Sequence, residues 1–395
     1  MGGLISTPST QTSVEVPEEV MNLYDRGACN QCIARILSIG RVQMEKYRLY
    51  NKHKNDCFAC HGIISHLDDI KDQVKNTIGR YNFHDIQIEV LTNLIKNDDK
   101  LIRKYRCQTS CTLKNYLKGQ IQISFKRINE GPTLYIKINS ASDIQMELKW
   151  PPLYVIGRYY KRSRRVSNTP FMRGQHAISS VEKELIGAIA TDIRCTERKF
   201  LSAGREDMDV RMIGTGRPFS ITFLNPLPNE NYPNPPQSNE EFAQSFSCFL
   251  PKDGQIQCDN NVSASNLRIT CTHPDISPRH EKCYRCIVSC SRNVSEENLA
   301  NLDKVDNLII NQRTPSRVAH RRILATRQKT VISMSYKQIC PRFFILNLKT
   351  SKGTYIKEFV NSDFGRTKPS LGDILDPENP VECQLLQLDV VLVSD

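Results

Sequence analysis

The chain has 395 residues with 54 Lys and Arg against 42 Asp and Glu, a formal net charge of +12 and a pI near 9.0. That length exceeds one ordinary domain and suits two, a smaller N-terminal one and a larger catalytic one, while the basic balance points to a polyanionic partner, nucleic acid first. No apolar run approaches the roughly 20 residues of a membrane span. The fifteen cysteines form an odd set behind an N-terminus without a basic-then-apolar signal pattern, so they read as thiols of a reducing, intracellular compartment.

Residues 1–18 are rich in Ser, Thr, Gly and Pro and are expected to be a disordered leader. Two C-x-x-C turns follow, Cys29-Asn30-Gln31-Cys32 and Cys57-Phe58-Ala59-Cys60. Each can point two thiolates at one ion, and together they complete a tetrahedral set for a structural zinc with no open position. Buried free thiols are the alternative, and the 24 residues between the turns exceed what a short ribbon needs. Apolar residues at Ile63, Ile64, Leu67, Ile70 and Val74, then at Ile86, Ile88, Leu91, Leu94 and Ile95, predict mixed helix and strand. Strands are expected at 121–125 and 134–138, flanking the turn Asn129-Glu130-Gly131-Pro132. Trp150-Pro151-Pro152 forbids helix continuation, so the boundary is set at about residue 148, giving domains of 19–147 and 148–395.

Farther along, Ser179-Ser180-Val181-Glu182 reads as a capping box opening a helix to about Thr191. Residues 226–239, rich in Pro and Asn, read as a surface loop, and strands are expected at 219–223, 286–290, 330–335 and 343–348. Without strict βαβ repetition, these elements predict an α+β domain around an antiparallel or mixed sheet. Tyr284, Cys286, Val288 and Cys290 alternate as one face of a strand does, so Cys283, Cys286 and Cys290 are structural thiols rather than a second metal site.

Two stretches lack any acid: 148–181, with Lys149, Arg158, Lys161, Arg162, Arg164, Arg165 and Arg173, and 307–357, with Arg313, Arg317, His320, Arg321, Arg322, Arg327 and Lys329. With Tyr159, Tyr160 and Phe171 interleaved, they read as RNA-binding surface, the alternative being a solvated face. Residues 204–211, Gly-Arg-Glu-Asp-Met-Asp-Val-Arg, and Gly214-Thr215-Gly216-Arg217 pack carboxylates, arginines and close-approach glycines together, which reads as a site or as a charged turn.

Gly204-Arg205-Glu206-Asp207 resembles the Gly-Arg-x-Asp loop of pseudouridine synthases. With Gly157-Arg158-Tyr159, residues 314–322, Gly353-Thr354-Tyr355-Ile356-Lys357 and residues 363–369, the chain is similar to the archaeal and eukaryotic tRNA branch called Pus-ten. The resemblance implies a pseudouridine synthase catalytic domain and an isomerisation in which a uridine of tRNA loses its glycosidic bond, turns and is rejoined through carbon, at the adjacent uridines of the T-arm loop. Asp207 would be the nucleophile, at sugar or base, supported by Asp209. Lys357 would be its cation, where the family motif is of the Gly-Thr-Tyr-Ile-Arg kind. Tyr284 would stack on the base and Ile356 would floor the pocket, with Arg205, Arg217, Arg317, Arg321 and Arg322 holding RNA. It further implies structural Zn2+ on Cys29, Cys32, Cys57 and Cys60 in a THUMP-like RNA-binding domain, no organic cofactor, and a nuclear or cytoplasmic location. The competing readings are a catalytically silent RNA-binding or processing adaptor, and a magnesium nuclease built on Glu206, Asp207 and Asp209.

Overall fold

The computed structural model describes residues 14–393 apart from 52, 106, 108, 174–175, 190 and 278–280. They form two compact units, one of the residues up to Pro151 together with Glu230–Phe242, the other of Pro152–Asn229 and Ala243 onward.

In the first unit, helices α1 (Glu18–Asp25), α2 (Asn30–Leu37), α3 (Arg41–Lys46) and α4 (Leu67–Ile78) precede strand β1 (Asp85–Val90). Helices α5 (Thr92–Tyr105) and α6 (Leu113–Ser124) and strands β2 (Thr133–Ile138) and β3 (Ile144–Lys149) complete it. The sheet runs β1-β2-β3, parallel at the first pair and antiparallel at the second. The strand expected at 121–125 is instead the end of α6. Leu113, Leu117 and Ile121 are buried one turn apart, and the Thr112 side chain accepts from Asn115 N at the helix start. A period near four and a cap outweigh the β-propensity of Ile121 and Ile123. Residues 226–239 are not only surface loop, since the segment from Glu230 belongs to this unit and ends on buried Phe242, stacked on the Trp150 ring at 4.4 Å.

The second unit continues with β4 (Leu153–Lys161), β5 (Phe171–Arg173), β6 (His176–Ile178), α7 (Val181–Ile189), β7 (Glu197–Ser202) and β8 (Arg211–Leu224). Next come α8 (Asn239–Gln244), whose first residues belong to the first unit, β9 (Ile256–Gln257), β10 (Val262–Thr270), β11 (Glu281–Cys290) and α9 (Glu296–Asp303). The remainder is β12 (Asp306–Arg313), β13 (Thr326–Cys340), β14 (Phe343–Ser351), α10 (Ile356–Val360), β15 (Thr367–Lys368), α11 (Leu371–Leu375) and β16 (Cys383–Val393). Eleven strands make one mixed sheet, ordered β15-β12-β13-β14-β11-β16-β8-β4-β10-β9 with β7 beside β8. This is an α+β fold. The described ladders of that sheet are antiparallel except β16–β8, which pairs Asp389 with Arg211 and Val390 with Met212. Gly214 permits that approach: at φ +64° its absent Cβ would lie 1.9 Å from the Val391 carbonyl oxygen, so no side chain fits. One face of β11 is core, with Tyr284, Cys286, Val288 and Cys290 buried opposite Leu348, Leu346 and Phe344 of β14. Against the core pack Leu299 and Leu302 of α9, Ile356 and Phe359 of α10 and Leu371 of α11, all buried.

Candidate active site

The loop from Ala203 to Val210 leaves β7 and enters β8 where β4, β8 and β16 meet. Gly204 turns it at φ +85°. The two acids that follow point into different environments. Glu206 is buried, 3.0 Å from the guanidinium of buried Arg217, and accepts from the Tyr159 hydroxyl at 3.1 and 2.9 Å. Asn168 closes the network on Tyr159 at 2.7 Å, and Arg217 also donates to the Ala203 carbonyl. A buried ion pair of this kind fixes geometry more than it adds stability.

Asp207 is 34 % exposed and faces two cations: Arg317 at 2.9 Å and Lys357 at 3.4 Å. The Arg317 guanidinium is itself held in a fork by buried Glu358, at 2.7 and 3.1 Å, which leaves a third nitrogen for Asp207. Burial lowers the Arg317 pKa, but the Glu358 and Asp207 carboxylates outweigh it and raise the value overall. Lys357 spends its closest contacts, 2.8 and 2.7 Å, on Asp209. Burial pushes the Asp209 carboxyl up, yet the Lys357 ammonium overrides it and holds the group below the ordinary carboxylate range.

Lys161 fastens the loop from beneath. Its ammonium is wholly buried and donates to the carbonyls of Val166, Asp207 and Met208 at 2.9, 3.0 and 3.0 Å. Burial pulls it down to about 8 against the attraction of Glu206, Asp209 and Asp207. Arg164 adds a second tie, to the Asp209 carbonyl at 2.8 Å and the Asp389 carboxylate at 2.6 Å, and Arg211 shares Asp389.

The sequence-based site is therefore partly gathered and partly reassigned. Asp207, Lys357 and Arg317 come together, and Ile356 is buried at the start of α10. Arg217, expected to hold RNA, is 1 % exposed and bound to Glu206, so it cannot reach a phosphate. Arg317, expected on the substrate, is engaged by Glu358 and Asp207. Tyr284 is buried, pushed up to about 12 by that burial although Arg217 opposes it. On the same face of β11, burial beside Arg217 brings Lys282 down to about 8. Arg205 and Arg322 are exposed, and the Arg321 side chain lies outside the described residues.

Three cations of the acid-free stretch 148–181 are engaged within the protein: Lys161 and Arg164 serve the loop, and Arg158 donates to the carbonyls of Thr215, Gly216 and Val393, whereas Lys149, Arg162 and Arg165 are exposed. Sequence reasoning missed Glu358, Asn168 and Asp389, and gave Lys161 and Tyr159 to an RNA surface instead of to this loop. The only available signal was that an acid-free stretch must find its acids elsewhere.

In the first unit the four cysteines expected to bind metal are all buried, with sulfurs within 4.8 Å of one another. The Cys29–Cys60 separation of 3.9 Å matches the edge of about 3.8 Å of a tetrahedron with bonds of about 2.3 Å. Donors also point at sulfur: Cys29 N reaches Cys57 Sγ and Arg35 reaches Cys32 Sγ, both at 3.2 Å. Arg35 is buried, pairs with buried Asp98 and donates to the Cys111 carbonyl at 2.9 Å, while Asp98 accepts from Leu113 N at the start of α6. The cluster could hold a metal ion, and its surroundings suit charged thiolates.

The family model described as "Pus10, C-terminal" matches residues 154–394, a span containing Asp207, Tyr284, Arg317 and Lys357. The chain belongs to the Pus10 family. Relatives named tRNA pseudouridine synthase Pus10 include one from Xenopus laevis, 35 % identical over 64 % of this chain and 47 % of that protein, and one from Mus musculus at 34 % over 64 % and 46 %. The chain spans about half the length of these curated relatives. A Pus10 of Pyrococcus furiosus is 28 % identical over 94 % of this chain and 96 % of its own. The solved Cbf5-Nop10-Gar1 complex aligns at a TM-score of only 0.30 and 13 % identity over 60 % of this chain and 47 % of that one, too slight to carry an inference. Among the described residues no helix is long and apolar enough to cross a membrane.

Proposed function

We propose that this chain is a tRNA pseudouridine synthase that isomerises uridine in the T-arm loop, with Asp207 as nucleophile. The observation that carries the proposal is a half-exposed carboxylate, on a backbone anchored by Lys161, facing Arg317 and Lys357 within the Pus10 match. Two cations hold Asp207 aimed and complement a carboxylate's charge, which suits a nucleophile attacking at sugar or base. The bond from the sugar to the base nitrogen breaks and one to a ring carbon forms. The carbon gives up its proton and the nitrogen gains one, so nothing is consumed. Tyr284 stacks on the extruded base, Ile356 floors the pocket, and exposed Arg205 and Arg322 meet phosphates. No organic cofactor enters.

The four cysteines hold structural zinc, and the first unit is a THUMP-like grip on tRNA. An unchanged tRNA affinity in the full-length chain after Cys32→Ser and Cys60→Ser together would remove that grip from the account. The location is nuclear or cytoplasmic, which imaging of a tagged chain checks.

The deciding experiment is single turnover on T-loop tRNA transcripts in EDTA, wild type against Asp207→Asn, with pseudouridine mapped by carbodiimide-stop sequencing. Product from the wild type and none from the variant supports the reading and identifies the uridine. A folded, tRNA-binding wild type that makes no product would leave an adaptor, and an EDTA-sensitive strand cleavage would indicate a nuclease.

A further inference from the structure

Phe364 is 98 % exposed, the most exposed large apolar side chain among the described residues. It sits on a backbone that L-residues avoid: Ser362, Asp363 and Phe364 have φ of 60°, 48° and 54°, and Gly365 follows at 81°. Three successive non-glycine residues in the left-handed region persist only where their surroundings over-determine them. Here Gly365 N and Thr367 N both donate to the Ser362 carbonyl, at 3.0 and 3.1 Å, and Arg366 N donates to Asp363 O at 3.1 Å. The Arg366 guanidinium grips the Asp363 carboxylate at 2.7 Å, and Asp363 N is held by the Asn361 side chain at 3.0 Å.

Both ends of this turn are joined to the segments that supply Asp207 with its cations. On one side is α10 with Lys357 and Glu358. On the other is β15, whose Thr367 pairs with Gln312 of β12, the strand that leads into Arg317. Gln312 in turn exchanges two hydrogen bonds with the Tyr355 backbone, at 2.9 and 3.0 Å. The turn is thus a braced extension of the active-site framework that displays one aromatic ring to solvent.

We infer that Phe364 is a stacking platform for an unpaired base of the RNA substrate, held at a set position relative to Asp207; the inference rests on the synthase reading above. The residues beside Phe364 in the chain, Ser362, Asp363, Gly365 and Arg366, are polar or lack a side chain, so the turn offers the ring without apolar residues adjacent in sequence. Every base has a π-face, and an aromatic ring next to an acid-free stretch with exposed arginines is how single-stranded RNA is bound without reading its sequence. Phe364 is a positioning residue and touches no reacting atom.

The test compares full-length wild type with Phe364→Ala, Phe364→Leu and Phe364→Tyr, using a T-arm hairpin transcript. Affinity is measured in an Asp207→Asn background and single-turnover rates in the active one. Alanine is expected to weaken RNA binding about 5- to 100-fold, in line with the loss of one base–aromatic stack, and to raise KM more than it lowers the rate at saturating RNA. Tyrosine restores affinity, whereas leucine, which keeps apolar bulk and loses the π-face, does not. Melting temperatures stay level because the ring packs on nothing.

Equal affinity of alanine variant and wild type, or rescue by leucine as full as by tyrosine, overturns the inference. So does a change confined to sedimentation mass, which would make the ring a contact between copies. If the wild type makes pseudouridine and Phe364→Ala binds RNA normally, only this inference fails. If the wild type makes none while Phe364→Ala loses RNA affinity, the synthase reading fails and the platform stands.

Discussion

The cysteine cluster of the first unit and the aspartate loop of the second both concentrate negative charge, and they control it in opposite ways. The thiols are all buried and come from two short turns, so a single ion at their centre, with a few donors around it, would suffice. The loop leaves Asp207 partly exposed, and its rigidity comes from elsewhere: Lys161 of β4 below, the Glu206–Arg217 pair behind, and Arg317, Lys357 and Asp389 from distant segments. A closed site can be specified locally, whereas an open one must be braced by residues far away in sequence.

The largest expected effect tests the closed side. Removing the metal, or replacing Cys57 with Ser, withdraws binding energy on the order of 10 kcal/mol for a four-thiolate ion. Chelation should therefore unfold the first unit, read as loss of helical far-UV signal and protease cleavage confined to residues before 152 and to 230–242. Full retention of that signal in metal-free protein, with metal loss verified by mass spectrometry, would mean the thiols are only core.

On the open side, Lys161→Met leaves three carbonyls without their donor. Each unsatisfied buried group costs about 1–3 kcal/mol, and a displaced loop costs about 100-fold in rate. Urea unfolding and single turnover together check this, and a variant close to wild type in both would show that the loop supports itself. A smaller effect separates the two cations. Arg317 is locked by a fork from Glu358, whereas Lys357 is mostly committed to Asp209. Arg317→Lys, which cannot reproduce the fork, should slow single turnover by about tenfold or more, with Lys357→Arg milder; the reverse order would return the principal role to Lys357.

How much of this was legible follows the same division. The cysteine turns were readable because a ligand pair is a local spacing. One face of β11 was readable because alternation is a local period. That Lys357 lies beside Asp207 was legible through motifs resembling a known family. The role of Arg217 was not: Glu206 and Asp207 are adjacent on the loop yet face different partners, and only the fold tells that Arg217 of β8 goes under it. Lys161 and Arg164 looked like RNA contacts because their acceptors are backbone carbonyls and an acid more than two hundred residues away, Asp389, which no window of sequence connects. The strand expected at 121–125 failed because short apolar runs fit either period until the cap at Thr112 is weighed.

The smallest effect concerns Asp389, the acid that binds Arg164 and Arg211 where β16 meets β8. Burial alone would raise its pKa, but the hydrogen bond from Arg211 and the charge of Arg164 overcome it and hold the carboxyl below its ordinary value of 3.8. A carboxyl depressed in the folded state contributes stability that is complete above the unfolded value and is lost as pH falls through it, because the unfolded chain then binds the proton first. The stability gap between wild type and Asp389→Asn should therefore be constant from pH 7 down to about 5 and should narrow between about 4 and 2, measured by urea midpoints at matched ionic strength. A gap that widened toward acid would mean that Asp389 is held protonated by burial. Arg164 would then owe its position to the Leu388 and Asp209 carbonyls rather than to Asp389.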